Sequence, residues 1–331
     1  MRHSSVSAGR CPMISERFAF IDIGTNTILC LIAELEDGGR YRVIEDLAEI
    51  TRLGQGVDGT GWISPQGEQR SGAVLRRYLE RCASLGVAAI IAVGTSALRD
   101  ARNSAEVRGR FMAQLGLAVR VISGAEEAGY SFLAVQRGLP LAGQELLVID
   151  IGGGSTEFIR GNESGIARAI SLDIGSVRLT ERFLHSDPVR AEECERMVSA
   201  IDQDLTRLRD YGLTGVGALT LVGIAGTFTT LAAVEKQLAR YSHNEVHGSG
   251  LTIDEVQRQV GLFREKSTAE RMSITGLDPK RADVILAGAC LIERIMTLFR
   301  APQVIVSDQG VRYGLLYECL RQQKNSQQKN S

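Results

Sequence analysis

Residues 146–157 read Leu-Leu-Val-Ile-Asp-Ile-Gly-Gly-Gly-Ser-Thr-Glu, and this stretch decides the fold class. An apolar run ends in an aspartate, three glycines and two hydroxyl residues, and Glu157 then opens a second apolar run. Residues 18–27, Phe-Ala-Phe-Ile-Asp-Ile-Gly-Thr-Asn-Thr, have the same form. Two strands joined by a tight polar turn explain each stretch. The weak repeat predicts two related α/β halves, each beginning with such a hairpin.

Strands and helices alternate along the rest of the chain, which predicts a largely buried mixed sheet in each half. Residues 52–63 contain four glycines and are predicted to be a loop. The further predicted strands are 41–50, 87–93, 118–122, 219–223 and 303–307. The predicted helices are 64–84, 105–114, 126–136, 227–239, 253–266, 280–299 and 312–322.

These elements predict two domains. The first spans residues 17–125, with 306–321 returning to it, and the second spans 126–305. Residues 1–16 are polar and predicted to be flexible. Residues 322–331 repeat Gln-Gln-Lys-Asn-Ser and are predicted to be disordered because they are too polar to pack.

Composition excludes several classes of function. The 331 residues include 38 basic and 39 acidic side chains, so no global positive field would recruit nucleic acid. No window of about 20 apolar residues exists, so no membrane span is expected. The six cysteines are widely separated, which favours reduced thiols and a cytoplasmic location. A polyanionic ligand would therefore need a local positive site.

The first hairpin carries a candidate anion site. Its turn, Gly24, Thr25, Asn26 and Thr27, brings backbone N–H groups, a carboxamide and two hydroxyls together. Glycine lets an anion approach the backbone, and successive N–H groups form an anion-binding concavity. Taken alone, the pattern is more typical of an ordinary polar β-turn.

The second hairpin strengthens the phosphate interpretation. Its turn contains Gly152, Gly153 and Gly154, followed by Ser155 and Thr156. Ordering three consecutive glycines costs backbone entropy, and a ligand that approaches the backbone closely would explain that cost.

Two acids flank this second turn, Asp150 before it and Glu157 after it. Carboxylates that face a phosphate site are repulsive unless a hard cation lies between them. Mg²⁺ typically bridges a few carboxylates to substrate phosphates. The sequence therefore predicts a Mg²⁺ or Mn²⁺ site here.

Three further positions are candidates. In residues 123–128, Ser-Gly-Ala-Glu-Glu-Ala, a strand gives way to a helix that begins with two glutamates, which would also suit the helix dipole. Gly226 and Thr227 begin another helix, whose N–H groups could face an anion, although the lysine of a P-loop is missing. Arg99 lies just after a strand, where cleft residues concentrate.

In its ordered motifs the chain resembles the exopolyphosphatase / guanosine-pentaphosphate phosphohydrolase family. The family belongs to the actin-like superfamily, which implies two related ribonuclease-H-like domains with mixed sheets, flanking helices and a cleft between them. The resemblance covers residues 18 to about 318. It rests on the motifs at 22–27, 52–57, 95–99, 123–128, 150–157, 175–180, 226–227, 247–248, 281–285 and 308–314.

The resemblance implies a role for each candidate. Glu127 matches the family's catalytic base, and Asp150 and Glu157 match positions tied to magnesium, with Asp22 as the third predicted metal ligand. The two turns match the phosphate-binding loops, with Arg99 at the cleft. Threonines stand at 25 and 27 where serines are usual. The chain resembles the short members without extra C-terminal helical domains, which leaves processivity on long chains open.

The implied reaction is metal-dependent release of a terminal phosphate from inorganic polyphosphate or from guanosine pentaphosphate. A kinase of the same superfamily and a non-catalytic alarmone sensor are the alternatives. Whether the chain works as a homodimer stays open. The two turns should face each other across the cleft, with Asp22 and Asp150 at its floor. The chain should cross between domains near 124–127 and return near 307–310.

Overall fold

In the computed structural model, residues 16–36, 39–214 and 219–329 are described, with side chains as far as Lys324. The predictions for residues 1–15, which include Cys11, lie outside these ranges. The other five cysteines are free thiols, four of them buried. None of the helices described is both long and apolar enough to cross a bilayer.

The first sheet has five strands in the order β3-β2-β1-β4-β5. The pair β1–β2 and the pair β2–β3 are antiparallel, whereas β4 and β5 extend the sheet in parallel. The strands are β1 (Glu16–Ile23), β2 (Thr27–Glu36), β3 (Arg40–Ile50), β4 (Ala89–Gly94) and β5 (Val119–Val121).

The second sheet has six strands and repeats the first in its order, β8-β7-β6-β9-β11, with β10 added antiparallel at the edge. Each corresponding pair also has the same direction. The strands are β6 (Leu146–Ile151), β7 (Thr156–Asn162), β8 (Gly165–Leu172), β9 (Thr220–Ile224), β10 (Gly250–Thr252) and β11 (Gln303–Val306). The repeated hairpin therefore opens two domains of the same topology, and the predicted fold class is confirmed.

Helices cover both faces of the sheets. Those following the first sheet's strands are α1 (Val57–Thr60), α2 (Pro65–Ser84), α3 (Ser96–Asp100) and α4 (Ser104–Leu115). Those of the second domain are α5 (Gly124–Gly138), α6 (Ser176–Phe183), α7 (Ala191–Leu205), α8 (Arg207–Asp210), α9 (Ala225–Glu235), α10 (His243–Val246), α11 (Ile253–Glu265), α12 (Thr268–Arg271) and α13 (Ile285–Phe299). The last helix is α14 (Val311–Lys329), and Pro279–Arg281 form a 3-10 turn.

Alternating side chains of the two central strands enter different cores. In β1, Ile21 packs towards α2 and α4, whereas Phe20 packs towards α14. In β6, Ile149 packs towards α7, α9 and α13, whereas Val148 packs towards α5. Helices α5 and α14 pack against each other between the two sheets. Helix α5 begins at the first predicted crossing of the chain and α14 follows the second, and the domain boundaries themselves stay a prediction.

Three local predictions were wrong. The loop 52–63 contains one helical turn, α1. The helix predicted from residue 280 begins only at Ile285, because the Asp278 side chain accepts a hydrogen bond from Lys280 N–H and caps a separate 3-10 turn. The last helix, predicted to end at residue 322, continues to Lys329, since glutamine and lysine have good helix propensity.

Candidate functional site

A cavity of about 540 Å³ lies between the two domains, and both predicted turns line it. The first turn contributes Gly24 to Thr27 and the second contributes Gly152 to Ser155, while Asp22 and Asp150 also line the cavity. The prediction that the turns face each other across one cleft is confirmed. Gly226 and Thr227, at the start of α9, line the same cavity.

The two turns are built in the same way. Gly24 N–H donates to the Thr27 carbonyl oxygen at 3.0 Å, and Gly152 N–H donates to the Ser155 carbonyl oxygen at 3.0 Å. Each bond closes a four-residue turn between antiparallel strands. The repeat found in the sequence is therefore a repeat of backbone geometry.

Glycine is required at the second turn because the first turn comes so close. A Cβ atom on Gly153 would lie 3.1 Å from Cβ of Thr25, and one on Gly154 would lie 2.6 Å from Oγ of Ser96. A side chain at either position would crowd residues of the first domain. From the sequence alone, a ligand that approaches the backbone explains the three glycines. In the structure, close approach of the two domains explains part of this run.

The two adjacent glutamates at the start of α5 have different surroundings, one at the surface and one in the cavity. Glu126 forms a capping box with Ser123, accepting from the Ser123 N–H at 2.9 Å, and pairs with Arg120 at the surface. Glu127 is buried, with 7% of its surface exposed, and lines the cavity. The dipole explanation therefore applies to Glu126, and Glu127 alone is available for chemistry.

Arg99 lies against Glu127. Its Nη1 donates to Glu127 Oε2 at 2.9 Å and to the Ile122 carbonyl oxygen at 3.1 Å. Among the described residues Arg99 does not line the cavity, so its predicted contact with phosphate does not follow from this arrangement. The guanidinium instead orients the Glu127 carboxylate and opposes the rise in its pKa.

Glu157 and Thr156 also stand back from the cavity lining. Glu157 Oε1 accepts hydrogen bonds from Ser155 Oγ at 2.9 Å and Ser171 Oγ at 2.7 Å. Thr156 Oγ1 donates to the Ile174 carbonyl oxygen at 2.5 Å. Glu157 therefore supports the second turn through Ser155, and Thr156 anchors the start of β7 to the Ile174 carbonyl.

Buried carboxylates of the cleft have raised pKa values. Burial, then the charges of Glu127 and Asp150, raises the pKa of Asp22 to about 8. Burial and Asp150 raise the pKa of Glu127 to about 7. Burial raises the pKa of Asp150 to about 6, opposed by a hydrogen bond from Ser131 Oγ at 2.7 Å. Burial also raises the pKa of Glu157 well above its ordinary range.

Two unpaired atoms show what the cleft could bind. Asp22 Oδ1 is a buried acceptor, and Asn26 Nδ2 is a buried donor, and neither has a hydrogen-bond partner within the described ranges. An unpaired buried polar atom is costly, so each fits a missing partner. A cation suits the first, and an anion suits the second.

The donor set fits a hard divalent cation. Carboxylate oxygens are the ligands that Mg²⁺ and Mn²⁺ prefer. Within residues 16–36, 39–214 and 219–329, however, no three acidic, histidine or cysteine side chains form a group that could hold a metal ion. The predicted trio of Asp22, Asp150 and Glu157 is therefore not a complete cage. Asp22 and Asp150 fit an ion that is shared with substrate phosphates, the arrangement usual for Mg²⁺.

Arg281, which the sequence left without a role, lies in the same cavity. It is partly buried, its Nη2 donates weakly to Thr27 Oγ1 at 3.3 Å, and it forms no ion pair with any described carboxylate. A Cβ atom on Gly226 would lie 2.0 Å from Arg281 Nη1, so Gly226 makes room for the guanidinium. A cation without a carboxylate partner, facing two glycine turns, is suited to phosphate. Only its position in the motif 281–285 could have drawn attention to it.

Thermal stability should depend on pH because these acids are buried. A carboxyl group whose folded pKa is raised stabilises the fold fully below its unfolded pKa, and that stability is lost as pH rises through the folded pKa. For Asp150, Glu127 and Asp22 the loss extends up to about pH 8. We expect the Tm of metal-free protein to fall between about pH 5 and pH 8.5, and Mg²⁺ to reduce the fall. A Tm that stays flat or rises over this pH range, measured by calorimetry, would contradict the raised pKa values of these three carboxyl groups.

Comparison with known proteins shows the family of this chain. The family model described as the Ppx/GppA phosphatase family matches residues 31–323. The chain belongs to the Ppx/GppA phosphatase family. It is 37% identical over 322 residues to exopolyphosphatase 2 of Mycobacterium tuberculosis, with 92% of this chain and 98% of that protein covered. It is 27% identical over 304 residues to exopolyphosphatase 1 of the same species, with 92% of this chain and 88% of that protein covered.

Solved Ppx/GppA structures share the two-domain fold. A family member from Aquifex aeolicus aligns with a TM-score of 0.78 at 34% identity, over 94% of this chain and 99% of that one. An exopolyphosphatase from Cytophaga hutchinsonii aligns with a TM-score of 0.85 at 30% identity, over 92% of this chain and 98% of that one. The two-domain fold that forms the cleft is therefore shared with these solved structures.

Proposed function

We propose that this phosphatase hydrolyses the terminal phosphoanhydride bond of inorganic polyphosphate with the help of Mg²⁺ or Mn²⁺. One observation carries the proposal. Donors suited to phosphate, in the two turns with Asn26 and on Arg281, line the same cavity as a buried base, Glu127. The cavity also contains an Asp22 carboxylate oxygen that has no hydrogen-bond partner among the described residues. The exopolyphosphatase names of the relatives support the same substrate class.

Each part of the site has a defined task in this reaction. Hydroxyl and amide groups of the two turns hold the terminal phosphoryl group, and Arg281 neutralises part of its charge. Asp22 and Asp150 would hold the divalent ion, which supplies positive charge to the phosphoryl oxygens when bound.

Glu127 is the base in this scheme. It orients a water molecule for in-line attack on phosphorus and accepts a proton at its carboxylate. Arg99 keeps that carboxylate in place through the 2.9 Å bond. The leaving group is the polyphosphate chain shortened by one unit, and orthophosphate is released.

The charge of Arg281 should matter mainly for binding. A hydrogen bond to a charged group contributes about 1.5–3 kcal/mol, so Arg281→Gln should raise KM for tripolyphosphate by roughly 10–100-fold. Steady-state phosphate release measures this. Lys280→Gln is the matched control, because Lys280 is exposed and its ammonium lies 3.5 Å from Glu49. Equal KM values for the two variants would remove Arg281 from the phosphate site.

Guanosine pentaphosphate is a second candidate substrate, favoured by one feature of the cavity. Part of its wall is apolar, formed by Ala233, Leu238, Leu277 and Pro279. Such a wall can accept a flat base while the phosphates reach the turns.

Comparing phosphate release from short polyphosphate, long polyphosphate and guanosine pentaphosphate separates the two candidates. Transfer to a nucleoside diphosphate instead of water would identify a kinase. Binding without turnover would identify a sensor. The cytoplasmic location and the homodimer stay predictions.

A further inference from the structure

Arg178 joins the second phosphate turn to the opposite domain. Its Nε donates to the Gly154 carbonyl oxygen at 2.8 Å, within the turn. Its Nη1 donates to Asp58 Oδ1 at 2.5 Å, and its Nη2 donates to Asp100 Oδ2 at 3.2 Å. Asp58 lies in α1 and Asp100 ends α3, both in the first domain. One largely buried side chain, 14% exposed, therefore holds the turn and spans the cleft at once.

Helix α6, which carries Arg178, is also fixed to the turn through its backbone. Ser176 N–H donates to the Gly152 carbonyl oxygen at 3.0 Å, and Val177 N–H donates to the Gly153 carbonyl oxygen at 2.9 Å. A Cβ atom on Gly175 would lie 2.5 Å from that Gly153 oxygen, so the helix cannot dock so closely without glycine. The turn and α6 must therefore move together when the domains open or close.

The cleft is closed beside this contact. Between Thr25, Gly154, Asp58 and Arg178 the remaining space is about 20 Å³, room for about one water molecule. The space on the Arg281 side is about 540 Å³. A substrate can thus reach the turns from the Arg281 side, and the Arg178 contacts form the wall behind them.

We infer that Arg178 is a positioning residue that sets the second phosphate turn in its binding geometry when the domains close. The inference rests on the proposed function, because the turn is taken to hold the reacting phosphoryl group. Of the three bonds, only the one to Gly154 acts within the second domain. The bonds to Asp58 and Asp100 exist only while the domains are together. Because one guanidinium makes all three bonds, the geometry of the second phosphate turn is coupled to closure of the two domains.

Arg182 provides a matched control on the same helix. Its Nε donates to Asp58 Oδ2 at 2.6 Å and its Nη2 donates to Asp58 Oδ1 at 3.0 Å. It is 48% exposed and makes no bond to the turn among the described contacts. Arg182→Gln therefore removes a cross-domain ion pair of similar type without touching the phosphate turn.

The test measures kcat and KM for tripolyphosphate in Arg178→Gln, Arg182→Gln and Asp58→Asn. Small displacements in an active site can cost on the order of 10²-fold, so Arg178→Gln should lower kcat by about that factor. Arg182→Gln should stay within about threefold of the wild type. Asp58→Asn, which keeps the bond to Gly154, should mainly raise KM because closure is weakened while the turn is held.

Calorimetric binding of tripolyphosphate, measured in the Glu127→Gln background, provides a readout independent of turnover. Here the Arg178→Gln change should weaken binding and the Arg182→Gln change should not. Equal kcat values and equal affinities for the two arginine variants would overturn the inference. Wild-type protein that binds tripolyphosphate but releases no phosphate would contradict the proposed function alone. A melting curve would show whether Arg178→Gln unfolds. In that case Arg178→Lys is measured in its place, and a wild-type kcat in Arg178→Lys would equally overturn the inference.

Discussion

Glu127→Gln should lower turnover by roughly 10²–10⁴-fold, the scale expected for loss of a general base. Glutamine keeps the shape of the side chain but cannot accept the proton of the attacking water. The pKa of Glu127 is raised to about 7 by burial and by Asp150, so the carboxylate is basic enough to act near neutral pH. The fold and ligand binding should be retained, since Arg99 can still donate to the amide oxygen.

The neighbouring glutamate gives the matched control for this variant. Glu126 caps α5 at the surface, and glutamine is also accepted in a capping box, so Glu126→Gln should keep near-normal turnover. Phosphate release from tripolyphosphate at saturating Mg²⁺ measures both variants. Near-normal release by Glu127→Gln would remove this residue from the mechanism.

Removing divalent ions should abolish phosphate release, and Mg²⁺ or Mn²⁺ should restore it. The physical reason is the negative charge buried in the cleft. Burial raises the pKa of Asp22 and of Glu127, and before any phosphate arrives Asp150 raises both pKa values further, while Glu127 also raises that of Asp22. A phosphate chain adds further negative charge, which Arg281 alone cannot balance. Asp150→Asn should therefore raise the Mg²⁺ concentration for half-maximal activity by on the order of 10–100-fold.

A metal titration of chelator-treated protein measures this effect. Asp202→Asn is the control, because its carboxylate pairs with Arg294 at 2.7 Å, away from the cleft. Full activity in excess chelator would show that the acids of the cleft act without a metal. An unchanged Mg²⁺ requirement in Asp150→Asn would remove that residue from the ion site.

Local sequence patterns predicted the fold and the turns well. The Asp-Ile-Gly hairpin appears twice because each domain begins with the same two strands, and a turn between neighbouring strands depends on adjacent residues only. Only the structure distinguishes the role of Glu127 from that of Glu126, because both glutamates suit the first turn of a helix.

Contacts between distant parts of the chain were beyond such reasoning. Arg281 reaches Thr27 across 254 positions, and Arg178 reaches Asp58 across 120 positions. Arg99 was expected to contact phosphate, but its partner is Glu127, a pairing that only the packing of α3 against α5 decides. Side chains whose contacts lie in the opposite domain were thus the hardest to assign from the sequence, and the phosphate contact of Arg99 stays a prediction.

Product analysis of a defined polyphosphate chain tests the central claim most directly. Purified protein with Mg²⁺ would be incubated with chains of uniform length, and the products resolved by size over time. The proposed site predicts orthophosphate together with chains shortened one unit at a time, and no products when the metal is chelated. Intact chains in the presence of Mg²⁺, or fragments from cleavage in the chain interior, would contradict it.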